Sequence, residues 1–250
     1  DAEADTGKRK GRRKPFDHTK GEKIIDFPDV RHFLQVHFLT HLAQPKVQSF
    51  GYFNVYALKP KEGKNPPMRC FGGKLGEELE DFIGSTNFRQ DHNYYITANS
   101  FRSPTKRNMD ELFAMCNIVV DIDNHNDSPN AQAVFNDAKV LAGLIENRFA
   151  GFAEDRAVPG PNSIVLTGRG IQLWWAFIPT MPNFRDIFDI IAVHYCNTLR
   201  DFLDCFPQES AGFSVDPGPS KNKVGLFRMP GTINPKVGIR SEVKVLSEEV

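Results

Sequence analysis

Residues 117–125 read Asn-Ile-Val-Val-Asp-Ile-Asp-Asn-His, and this stretch decides how the chain is understood. On a β-strand successive side chains point to opposite faces. Ile118, Val120 and Ile122 then share one face, and Asp121 and Asp123 share the other. The apolar face is suited to a core. The two carboxylates emerge side by side at the end of a buried run, where they repel one another. A divalent cation removes that repulsion, and hard cations such as Mg2+ take carboxylate oxygens. The pair could equally just end a strand at the surface, and the motif alone leaves both readings open.

Downstream, Ser128 and Pro129 read as a helix start. Val134, Ala138, Leu141, Leu144, Ile145 and Phe149 then fall on one helical face. Strands are expected over 163–166 and 171–177, joined by Thr167-Gly168-Arg169-Gly170 as a hairpin. Glycines flanking an arginine let backbone approach a ligand, and the guanidinium can fork onto phosphate oxygens. By itself the turn explains the glycines equally well. Trp174 and Trp175 point to opposite faces, one expected in the core and the other half exposed. Asn183 reads as the cap of a long helix with Phe184, Ile187, Ile191, Tyr195, Leu199, Phe202 and Phe206 near one face. A third signal follows. Asp216 stands after an apolar residue, and Arg228, Asn234 and Lys236 come among Pro and Gly in a stretch too irregular for a helix or long strand. Rigid basic loops suit phosphate or template contacts, or make ordinary surface. Short strands are expected over 224–229 and 243–246.

Upstream, the alternation predicts strands over 51–58 and 94–98 and a short helix over 74–83. A helix begins at Pro28, with Val30, Phe33, Leu34, His37, Phe38, His41 and Leu42 at helical spacing and Asp26 or Asp29 as cap. Helices and strands interleave throughout, so the class is mixed α/β. Residues 1–22 are polar and basic without periodicity, with a run from Lys8 to Lys14, and read as a disordered tail. The folded body is then 23–250, with an N-terminal part of about 23–110 and a motif-bearing part of about 111–250.

The chain of 250 residues is long enough for one large domain or two small ones. Its formal net charge is zero, which argues against a basic nucleic-acid footprint spread over the whole surface. Four cysteines without a CxxC pair fit a reduced, cytoplasmic chain. No apolar run has the length of a membrane span, and no apolar segment follows the basic N-terminus as a signal peptide requires. The absence of a starting Met suggests a piece of a longer protein. Zinc binding by His194, Cys196 and Cys205 is set aside, because residues two apart on a helix face different ways and both cysteines suit burial. His37 and His41 share a helical face without the glutamate of an HExxH site. His125 and Asp127 read as capping the next helix.

Taken in order, the DID pair on a strand, the small-Gly-Arg-Gly hairpin and an Asp followed by RMPGTINPK resemble the archaeo-eukaryotic primase superfamily, in particular the replication primases and primase-polymerases of plasmids, phages and integrative elements. The resemblance covers roughly residues 94–236, and the phrase YYITANSF with the basic loop after it is also similar to such proteins. It implies an α/β (α+β) fold in which an N-terminal α/β module packs on a module shaped like an RNA-recognition fold, with the active site in the cleft between. It implies Asp121, Asp123 and Asp216 as catalytic ligands of Mg2+ or Mn2+. Thr167, Gly168, Arg169, Gly170, Gln172 and Arg228 would lie along a nucleoside triphosphate, and Asn234 and Lys236 toward nucleic acid. Many members carry His where this chain has Gln172; glutamine donates a hydrogen bond without charge. The implied activity is that of a DNA primase and DNA-directed polymerase: two-metal nucleotidyl transfer from NTP or dNTP on a single-stranded DNA template, for primer synthesis and extension during replication of a mobile element. A helicase or helical priming domain is expected in the full-length protein, and extension is expected more readily than de novo priming. A nucleic-acid-binding module without chemistry and a metal-dependent nuclease are the other readings.

Overall fold

The computed structural model describes residues 21–24, 26–39, 51–58, 68–74, 77–126 and 128–248. The basic run Lys8–Lys14, His41, Leu42 and Asp127 lie outside them. In chain order come α1 (Pro28–Leu34), β1 (Tyr52–Leu58), β2 (Met68–Lys74), α2 (Glu77–Ser85), β3 (Asn93–Thr97), β4 (Ser100–Phe101) and β5 (Leu112–Asn124). Then follow α3 (Ala131–Glu154), β6 (Ser163–Leu166), β7 (Ile171–Thr180), α4 (Arg185–Asp204), β8 (Phe213–Asp216) and α5 (Pro217–Lys221). The short strands β9 (Leu226–Arg228), β10 (Ile233–Asn234), β11 (Ile239–Arg240) and β12 (Glu242–Val245) complete the chain.

From β5 to β8 the elements run β-α-β-β-α-β, and the strands lie in the order β6-β7-β5-β8 with antiparallel neighbours. That is the split βαβ arrangement of ferredoxin-like and RNA-recognition modules, as the resemblance implies. β12 adds to β6 at one edge. On the other side β4 pairs with β5, and the sheet continues through β1 and β3 to β9, with β2 on β1. β9 comes from the motif-bearing half yet pairs with β3, so one antiparallel sheet of ten strands runs through both halves.

The central strand β5 is buried on both faces because two cores need it. Ile118, Val120 and Ile122 join Trp175 against α3 and α4, beside Phe149, Leu199 and Phe202. Val119 joins Trp174 in a second core with Phe33, Phe53, Val55, Ile96 and Phe227. The alternation breaks twice, first where Phe113 and Ala114 both pack on the second core. Cys116 packs in the second core, and the next residue, Asn117, also turns that way, its amide donating to Ala98 O (2.8 Å) and His37 O (3.3 Å). The backbone N–H groups of both residues donate to Asn99 Oδ1, at 2.8 and 3.3 Å. Two successive N–H groups on one side mark a β-bulge.

A buried polar network pins the N-terminal helix onto this strand. α1 passes at Gln35 into a π-helical turn reaching Leu39. His37 in that turn is fully buried, with Nδ1 on Asn117 Oδ1 (2.7 Å) and Nε2 on Ser163 Oγ (2.8 Å). A core histidine was one of the two readings open for it.

Several expectations are corrected by long-range contacts. Both tryptophans are buried, at 0% and 1% exposure, because each face of β7 has its own core. Residues 68–74 form a strand against β1, and the following helix starts only at Glu77. α3 is capped by Asn130, whose side chain accepts from Ala133 N (3.1 Å), not by Ser128. α4 begins at Arg185 after a 3-10 turn over Pro182–Phe184, and Asn183 does not cap it. Phe27 holds the cap position of α1, so neither Asp26 nor Asp29 does. Asp216 is followed by the short helix α5 where no helix was expected. Cys205 is exposed, while Cys196 is buried. Glu22, the last residue of the expected tail, pairs its backbone with Phe88 and its carboxylate with Arg240. No helix among the described residues is long and apolar enough to cross a membrane.

Candidate active site

At its far end β5 lies between β7 and β8. Asp121 stands directly opposite Gln172 on β7 and directly opposite Asp216 on β8. Asp123, two residues on, is opposite Ser214. Directly opposed residues share a face, as do residues i and i+2 of a strand, so the three carboxylates rise from one side of the sheet on neighbouring strands. It is the side turned away from α3 and α4. Asp121 and Asp216 are half-buried and Asp123 is exposed.

Burial, and then the neighbouring negative charges of Asp123 and Asp216, together push the Asp121 carboxyl up to about 7. Gln172 opposes the shift with a hydrogen bond to Asp121, and the positive charge of Arg228 does the same. The Gln172 Oε1 atom is itself buried with no protein partner. Asp216 caps α5, its Oδ1 accepting from Gly218 N at 2.8 Å.

The hairpin is built close to these acids. Thr167 N donates to Gly170 O (2.9 Å) and Gly170 N to Thr167 Oγ1 (3.2 Å), closing the turn. Gly168 has φ +97°, a conformation that favours glycine. A Cβ on Gly170 would sit 2.4 Å from Ile122 O, so this glycine lets the turn lie against β5 between the two acids. Arg169 is exposed at the tip, and its Nη2 reaches Asn126 O (3.2 Å). Asn234 is buried and its amide donates to Thr167 O (3.0 Å), while its Oδ1 accepts from Lys236 N (3.2 Å). The structure thus uses the Asn234 side chain to brace the hairpin from behind, and leaves Lys236 exposed beside it.

Arg228 approaches from β9. It is 8% exposed, its Nη2 donates to Asn93 Oδ1 (2.9 Å), and its Nη1 has no protein partner. Burial depresses its pKa, while Tyr95 and the Asp121 charge push the other way. Sequence reasoning passed over Asn93 and Tyr95, and no local signal marks them, since a β3–β9 pairing places them. It also passed over Ser214, whose hydroxyl holds His125 Nε2 at 2.7 Å in place of the expected helix cap.

Among the described residues no group of three or more His, Cys, Asp or Glu is gathered into a cluster that could hold a metal as it stands. Asp121 is turned to Gln172 and Asp216 to the α5 backbone. The chemistry of the donor set nevertheless fits a hard divalent cation: three carboxylates on one face, whose mutual repulsion at Asp121 a cation would relieve.

These features define a mixed α/β protein whose RNA-recognition-like module carries three acids, a glycine-arginine hairpin and a buried arginine at one end of its central strands. No family model and no curated protein matches the sequence. Two solved structures are similar to the chain. One is the AEP domain of the cyanophage S-2L primase-polymerase, at 16% identity over 86% of this chain and 91% of that one, with a TM-score of 0.46. The other is the polymerase domain of Mycobacterium tuberculosis ligase D in complex with DNA, at 9% identity over 94% of this chain and 87% of that one, with a TM-score of 0.45.

Proposed function

We propose that the chain is a metal-dependent nucleotidyltransferase of the primase-polymerase kind, which adds nucleotides to a primer on single-stranded DNA. The observation that carries this reading is the backbone pairing of Asp121 with Asp216, with Asp123 on the same face. Two further carboxylates on the same face raise the proton affinity of Asp121, which costs folding stability, and a pure binding module gains nothing from that.

Asp121, Asp123 and Asp216 would hold Mg2+ or Mn2+. Bound there, the metal supplies activation of a 3′ hydroxyl and stabilisation of the leaving pyrophosphate. The chain's own groups position the substrate. Arg169 at the hairpin tip offers a fork to phosphate oxygens, and the unpartnered Nη1 of Arg228 offers a second cationic donor. Gln172 keeps Asp121 oriented. Lys236 stands beside the hairpin, where it balances charge on the triphosphate or template. NTP or dNTP is the substrate, and the full-length protein would add a helical priming domain or a helicase.

Primer extension on a single-stranded DNA template with Mg2+ or Mn2+ tests this. The wild-type chain is expected to extend, and Asp121→Ala/Asp123→Ala to lose at least about a hundredfold in rate. Extension that survives the double substitution would place the chemistry elsewhere. Degradation of the template in place of extension would make the protein a nuclease, and DNA binding without either reaction would make it a binding module.

A further inference from the structure

Across β1, β3 and β9 a row of side chains faces away from the core. Tyr56 is directly opposite Tyr95, and Tyr95 is directly opposite Arg228. Their strand neighbours Val55, Ala57, Tyr94, Ile96 and Phe227 all point into the core, so these three point outward. Both tyrosines are half-buried. The row has an arginine at each end. The Arg228 guanidinium lies 5.3 Å from the Tyr95 ring centre, and that of Arg107 lies 5.3 Å from the Tyr56 ring centre. Arg107 is fixed there by donating to Val224 O. Beyond it the same loop carries the exposed Arg102 and Lys106. At the other end the Arg228 charge is felt by Asp121.

We propose that this row is a stacking platform for a single-stranded nucleic acid, whose bases lie on Tyr56 and Tyr95 while its phosphates run along Arg107 and the loop before it. The proposal rests on the nucleotidyl-transfer reading in one respect, that the strand held here is the template. Neighbouring strands are about 4.8 Å apart, so the row from Arg228 to Tyr56 spans about 10 Å. Aromatic rings interleaved with arginines recognise nucleobases whatever their sequence, because every base has a π-face. Stacked bases inside a duplex have no free face to offer, so the ligand is an unpaired strand. The nucleobase of an incoming nucleotide has the same chemistry, and the test separates the two.

The measurement is fluorescence anisotropy of a short labelled oligo(dT) with the full chain in EDTA. Tyr56→Leu and Tyr95→Leu are each expected to weaken binding about tenfold, and Tyr56→Phe to stay within about twofold of wild type. An abasic oligonucleotide of the same length should bind the wild type and both leucine variants alike. A structural role for the tyrosines would weaken both ligands together, and that result overturns the proposal. So does unchanged oligo(dT) binding in both leucine variants. A loss confined to dTTP binding, with oligo(dT) unaffected, assigns the platform to the incoming nucleotide and overturns the strand. Circular dichroism melts of the phenylalanine and leucine variants show whether the fold is kept. A chain that binds oligo(dT) through these tyrosines but extends no primer overturns the transfer reading and leaves the platform standing.

Discussion

At Val119 and Val120 the central strand β5 is covered on both faces; one residue later, at Asp121, cover remains on one face only. The two stretches are continuous in sequence and pair with the same strand β7, yet one is built for cohesion and the other for charge. The middle is paired, apolar and enclosed. The end is equally well paired, but its outer face gathers acids that repel. Tight backbone pairing around Asp121 lets the module tolerate this, because stability is drawn from the enclosed stretch.

The comparison breaks most visibly at Trp174, which fills the second core beside Phe33 and Phe227. Trp174→Ala should cost about 3–5 kcal/mol in urea unfolding. A cost under about 1 kcal/mol would show that the enclosed stretch is not where stability lies. Next in size is Asn117→Leu, which removes the bonds to His37 and Ala98 from the same stretch. A loss of about 1–3 kcal/mol is expected by the same method.

The acid end should respond with the opposite sign. The folded state holds a proton on Asp121 up to about pH 7, whereas an unfolded aspartate releases it near 3.9. The folded state therefore binds more protons between these values, and this group's contribution to stability falls as pH rises from about 4 to about 7. Asp121→Asn should melt higher than wild type at pH 8, by on the order of 1 kcal/mol after solvent screening, and should match wild type at pH 4. It should do so while losing primer extension. Equal melting at pH 8 would mean that the three carboxylates do not oppose one another. The smallest effect is expected far from both stretches. Lys139→Ala, which breaks a half-exposed ion pair to Glu242 at 2.9 Å, should change stability by less than about 1 kcal/mol.

Much of this arrangement was legible in residues 117–125, because alternation along a strand is a local property. The facing of Asp121 and Asp123, and of Ile118, Val120 and Ile122, follows from period two alone. The hairpin at 167–170 was likewise local. That Asp216 belongs with Asp121 came only through the family resemblance, and its strand pairing was not foreseen, since no periodicity links residues so far apart. What stayed hidden depended on partners distant in sequence. β2 was missed because Met68–Lys74 is ordered as a strand by β1, and its glycines weaken any local signal. Asn234 reads as a contact residue until its amide is seen spent on Thr167 O. Gly170 reads as turn chemistry until Ile122 O is found where its side chain would be.

The bulge at Cys116–Asn117 works like a reading frame in space. Every residue after it on β5 is assigned to its face by that single extra step, with Asn99 as the clamp that holds the step in place. Deleting one residue there would leave the composition of the strand intact and turn it half a revolution. Ile122 would face the open side, and Asp121 and Asp123 would be driven toward α3 and α4. A row of acids set by strand parity can therefore survive substitution at many positions, but a change in length on this short segment removes it in one event.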